Sequence, residues 1–107
     1  MSTIKELQAL GAFVSDQTVE REIAFKIGGE DYKATIYVRR LSAGDYEELI
    51  LSQQKGRSSM AEIISKAIRL GKDGRESMTF EQAYKLEQSV ATAMVNAFNE
   101  VNASKKS

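Results

Sequence analysis

Near neutral pH, side-chain chemistry most often rests on histidine or cysteine, and this chain has neither. Their absence removes the usual general base, the thiolate nucleophile, disulfides and thiolate metal sites. What remains are carboxylates and basic groups, judged by their spacing. Glu47-Glu48 is a carboxylate pair. Adjacent helical residues point about 100° apart, so these two do not converge on one substrate or metal. They read as a solvated face near a helix N-terminus, where negative charge is favoured. Gly28-Gly29 lacks the Lys-Ser/Thr of a phosphate loop and joins two strands, so it reads as a turn. Arg39-Arg40 has no neighbouring aromatic stacking of the kind that marks nucleic-acid surfaces, and it reads as a structural or protein-interface salt-bridge donor. No catalytic residue, metal ligand or cofactor is expected, and the chain reads as a binding protein, not an enzyme.

The elements that would position these residues follow from periodicity. Residues 3–10 form a short helix with Ile4 and Leu7 on one side and Gly11 as its stop. It is too short to be stable alone and must dock or fray. From Val19 the period becomes two. Ile23, Phe25 and Ile27 share one face of a strand, and Tyr32, Ala34, Ile36 and Val38 share one face of the next. With the glycine turn between them, these strands make a hairpin.

Three helices follow. Ser42-Ala43-Gly44-Asp45 resembles a capping box, opening a helix with Tyr46, Leu49 and Ile50 on one side that ends near Gly56. Ser59-Met60-Ala61-Glu62 repeats the signal. Met60, Ile63, Ile64, Ala67 and Leu70 form its stripe, and Gly71 is the expected stop. After the polar turn 72–75, Thr79-Phe80-Glu81-Gln82 opens the longest helix, expected to run to about Val101. The fold class is therefore α+β, one β-hairpin packed against three to four helices with the C-terminal helix longest.

The whole chain, 1–107, reads as a single domain, with 1–12 as a short helix or arm and 102–107 as a polar, disordered tail. Its 42% apolar and 28% charged residues suit a folded domain, and 107 residues bury roughly two-thirds of the unfolded surface. Fifteen basic residues balance fifteen acidic ones, which gives no overall field to attract nucleic acid or anionic lipid. No stretch approaches the roughly 20 apolar residues of a membrane span, and no signal peptide is evident at the start. Neither nucleic acid nor a membrane is an expected partner.

The long helix carries a wide apolar arc that includes Phe80, Ala83, Tyr84, Val90, Ala91, Met94, Phe98 and Val101. One reading packs all of it inside the domain. The other leaves part of it for another chain, and that reading fails if Met94 and Phe98 are both buried within one monomer. Tyr37, Arg39, Met94 and Phe98 are the candidate protein-interface residues. Glu87 falls inside the stripe, so it either pairs with Arg39, Arg40 or Arg69 or sits at a gap and reaches water. If the hairpin strands are the only two, both outer edges are open to a second subunit or an extended client, unless Lys26, Lys33 and Arg39 protect them.

The segment Tyr37-Val38-Arg39-Arg40-Leu41-Ser42-Ala43-Gly44-Asp45-Tyr46-Glu47-Glu48-Leu49 resembles the tail assembly chaperones of long-tailed, siphovirus-type bacteriophages or prophages, in their short form. There a hairpin ends in a pattern like V-R-x-L-S and enters a helix with an acidic, capped first turn. The likeness covers roughly residues 12–101. It implies a late protein of the host bacterial cytoplasm that binds the tape measure protein, keeps it soluble and recruits tail tube subunits without entering the virion. It also implies a homo-oligomer, and a frameshifted longer form that carries tube-binding sequence. Lys105-Lys106 gives a small hint of such a slippage site, but two lysines read better as a plain solubilising tail. The alternatives are a small structural subunit of a phage tail or head–tail connector, and a nucleic-acid-binding regulator. Against the regulator, the helix over 60–70 carries only Lys66 and Arg69 against Glu62.

Overall fold

A computed structural model describes residues 3–14, 17–56 and 58–102. The fold is α+β, as expected, with the C-terminal helix longest. In chain order it comprises α1 (Ile4–Ala9), β1 (Thr18–Ile27), β2 (Glu30–Arg39), α2 (Ala43–Gln54), α3 (Ser59–Ala67), β3 (Ile68–Leu70), a single 3-10 turn (Lys72–Gly74), β4 (Glu76–Ser77), α4 (Phe80–Tyr84) and α5 (Gln88–Asn102). The sheet is antiparallel throughout, in the order β1-β2-β3-β4.

The hairpin forms where the period-two pattern places it. Ile27 faces Glu30 across the turn, and Gly28 and Gly29 take φ of +60° and +85°, the positive pair that a two-residue turn needs. One sheet face carries Ile23, Ile36 and Val38, all buried. Helices α5 and α3 cover that face, and α3 packs in turn against α2 and α4. Ile36, Ile64, Ile68 and Val38 are the largest side chains fully buried in the core they share. The opposite face, with Glu20, Glu22, Ala24, Lys26, Asp31, Lys33 and Thr35, is exposed. Burial also fades along the hairpin, so that Ile27 is 42% and Tyr32 45% exposed at its tip.

Two elements differ from the sequence reading. The third helix stops at Ala67, and Ile68–Leu70 is a strand whose Ile68 and Arg69 pair with Val38 and Tyr37. Leu70 continues the helical period by coincidence, and Gly71 turns the chain from β3 towards β4 instead of ending a helix. Three residues are too few to show a period-two signal of their own. The hairpin is accordingly extended into a four-stranded sheet.

The expected long helix is also divided, into α4 and α5. Thr79 caps α4 with a full capping box through Gln82, as the sequence suggested. At Lys85-Leu86 the chain turns and restarts. Glu87 acts as the new cap: its carbonyl accepts from the Ala91 N–H and its carboxylate from the Ser89 N–H at 3.0 Å. Glutamate is not among the favoured cap residues, so no sequence signal marks the restart. At the far end Asn102 closes α5, where a tail was expected to begin. Residues 103–107, including Lys105-Lys106, lie outside the described residues.

The other starts match the sequence or move slightly. Ser42 and Asp45 make the expected capping box at α2. The cap of α3 is Ser58, one residue earlier than read, with its hydroxyl accepting from Ala61 N–H. Thr3 and Glu6 box α1, and Gly11 follows it at φ +80°. No residue of α1 is buried.

Candidate protein-binding surface

The four candidate interface residues divide into two pairs. Tyr37 and Arg39 sit two apart on β2 and so share the sheet face away from the helices. Arg69 lies directly across from Tyr37 on β3 and joins them there. All three are half-buried. The Arg39 guanidinium donates to the Lys66 carbonyl at 3.2 Å, near the C-terminus of α3, where a cation complements the helix dipole. The Arg69 guanidinium donates to the carbonyls of Ser65 and Ile68. Burial, then the charge of Arg39, lowers the Arg69 pKa from its ordinary value. Tyr37 packs over the 3-10 turn, so closely that a Cβ on Gly74 would fall 2.9 Å from Tyr37 Cβ. Tyr37 and Arg39 thus make contacts within the chain and keep an exposed fraction on one surface.

Met94 and Phe98 belong to the core. They are 4% and 3% exposed, and Tyr46 lies against Phe98 with ring centroids 6.4 Å apart. The interface role expected of them is therefore replaced by packing. A wide apolar arc on a helix is what a site packed by sheet on one side and by α3 on the other requires.

The charged candidates have local roles. Glu87 is exposed, and Ser89 lowers its carboxyl pKa through hydroxyl and backbone hydrogen bonds. Of the two readings it follows the one at a gap in the stripe, open to water. Glu48 pairs with Lys66 at 2.7 Å, and Glu47 is exposed, consistent with a solvated face. Arg40 donates to the Gly11 carbonyl at 3.4 Å, tethering the base of α1 beside the start of α2. Among the described residues no group of histidine, cysteine, aspartate and glutamate side chains could hold a metal, and no helix is long and apolar enough to cross a membrane.

The apolar surface lies elsewhere, and besides Tyr84 of α4 it falls in three places. On α2, Ile50 and Leu51 are 53% and 51% exposed, with Tyr46 at the margin. On α1 and the segment after it, Ile4, Leu10 and Phe13 are all more than half exposed. At the hairpin tip, Ile27 and Tyr32 are exposed, and Tyr32 lines a groove of about 550 Å³ with Ala24, Phe25, Lys26, Asp31 and Lys33. A readable signal for α2 was present. Leu49-Ile50-Leu51 are three consecutive apolar residues spanning about 200° of a helix, more than one neighbouring layer can cover. Leu49 alone is buried.

A family model described as phage tail assembly chaperone matches residues 5–102. No curated protein and no solved structure matches the chain. A family whose pattern spans the hairpin, its capped exit and every helix accounts for nearly the whole chain, and its role is chaperoning, which is not an enzymatic one. The chain therefore belongs to the phage tail assembly chaperone family.

Proposed function

We propose that this chain binds the tape measure protein and keeps it soluble while tail tube subunits polymerise around it, leaving before the particle is complete. The reading is supported by one observation above others: large apolar side chains lie on outer faces that the core does not use, with Ile50 and Leu51 of α2 foremost. A helical client presents an apolar stripe, and an exposed apolar helix face is a suitable reversible partner for it. In this reading the protein works late, in the host bacterial cytoplasm. It self-associates to line a long client and reaches the tail tube protein through a longer, frameshifted form. Nucleic acid, membrane and cofactor have no part in it.

The test is co-expression of the tape measure protein with this chain, with an Ile50→Asp/Leu51→Asp variant, or with neither. Soluble tape measure protein is expected with the native chain, and much less with the variant or without the chain. Equal solubility in all three arms overturns the reading.

A further inference from the structure

The two outer edges of the hairpin are unlike. Along β1 two outward carbonyls are already engaged: Arg21 Nη1 donates to the Glu20 carbonyl at 3.0 Å, and the Ser89 hydroxyl donates to the Lys26 carbonyl. Along β2 the edge is paired with β3 only at Tyr37 and Val38. From Glu30 to Thr35 no strand pairs with it among the described residues.

The hydrogen-bonding direction of that stretch follows from the turn. Ile27 and Glu30 close a two-residue loop, so they exchange both ladder bonds and the pairs alternate from there. The N–H and C=O groups of Asp31, Lys33 and Thr35 therefore point away from β1. Their side chains share the exposed face away from the helices.

We propose that this stretch of β2 pairs antiparallel with the same stretch of a second copy, about a two-fold axis at Tyr32. The inference deepens the self-association named under the proposed function and rests on it. In this register Asp31 faces the second copy's Lys33 and Lys33 faces the second copy's Asp31. Each pair exchanges two backbone hydrogen bonds and sets opposite charges side by side. Moving the axis one residue either way sets Asp31 against Asp31, or Lys33 against Lys33, which is unfavourable. Tyr32 meets its own copy at the non-hydrogen-bonded position, where side chains approach most closely. Tyr32 is 45% exposed, and its ring centroid already lies 6.1 Å from that of Phe25. A second copy would cover the apolar tip that the monomer leaves bare.

Sedimentation over a range of concentrations, combined with charge reversal and a single introduced thiol, tests the interface. The native chain has no cysteine, so Tyr32→Cys reports only on the proposed axis. Tyr32→Cys is expected to form a covalent dimer under mild oxidation, while Glu22→Cys on β1 does not. Asp31→Lys or Lys33→Asp alone should weaken association by about tenfold or more, and the double reversal should restore it. Asp31 also pairs with Lys26 within the chain, at 3.8 Å and well exposed, so urea unfolding of each variant controls for the fold. A native chain that stays monomeric at every concentration overturns both the interface and self-association. A chain that self-associates without responding to the charge reversals, and does not cross-link through Tyr32→Cys, overturns this edge alone.

Discussion

The Leu41 N–H donates to the side-chain carbonyl of Asn102 at 2.8 Å, joining residues 61 apart in sequence. The same amide group donates to the Arg39 carbonyl at 3.0 Å. One side chain at the end of α5 thus satisfies both backbone groups where the chain leaves β2 for α2, within the segment that carries the family resemblance. It fixes the hairpin exit to the C-terminal helix.

Removing that amide leaves two partly buried backbone groups short of partners. Asn102→Ala is expected to cost about 1–3 kcal/mol of stability. Asn102→Asp keeps the acceptor for Leu41 but loses the donor to Arg39, and should also be destabilising. Urea unfolding followed by far-UV circular dichroism measures both, and wild-type midpoints for the two variants would refute the clamp.

Phe98 and Ile50 should respond in opposite ways. Phe98→Ala empties a core position and is expected to cost about 3–5 kcal/mol. Ile50→Ser on the outer face of α2 should change stability by no more than about 0.5 kcal/mol. Thermal unfolding separates them. A large loss at Ile50 would mean that α2 packs differently from the arrangement described.

Gly74 holds φ of +69° beneath Tyr37. The backbone conformation alone should make Gly74→Ala cost about 1–2 kcal/mol, and the added methyl must also displace Tyr37. A double-mutant cycle with Tyr37→Gly, which removes the Cβ as well as the ring, isolates that second part. Coupling of zero between the two sites would show that they do not touch.

Asp45 titrates below the ordinary value of 3.8, chiefly because the Ser42 N–H donates to its carboxylate, with desolvation opposing. A carboxyl depressed in the folded state adds stability above its unfolded pKa, and that stability is lost as pH falls through the folded pKa. The native chain should therefore lose stability from about pH 4 downward, and Asp45→Asn should flatten that part of the profile. Ser42→Ala should also cost about 1 kcal/mol near neutral pH through the lost cap. Chemical denaturation at pH 7, 5, 4 and 3 checks the slope. An unchanged slope in Asp45→Asn would place the acid sensitivity elsewhere.

What the sequence determined by itself is whatever depends on neighbours along the chain. The hairpin register follows from period-two alternation and two glycines that accept positive φ. The starts of α1, α2 and α4 follow from a hydroxyl residue three positions before a carboxylate or amide, because a cap is closed by its own first turn. The lack of histidine and cysteine removes imidazole and thiolate chemistry whatever the fold. Only the tertiary structure decided what depends on residues far apart. Ile68–Leu70 is a strand because Val38 and Tyr37 lie beside it, although its period continues a helix. The break before α5 is closed by Glu87, a residue type with little preference for that position. Met94 and Phe98 could not be told from interface residues by helical period, because an apolar side chain looks the same whether its own domain or another covers it. That assignment rests on where α3 and the sheet lie, and long-range packing alone places them.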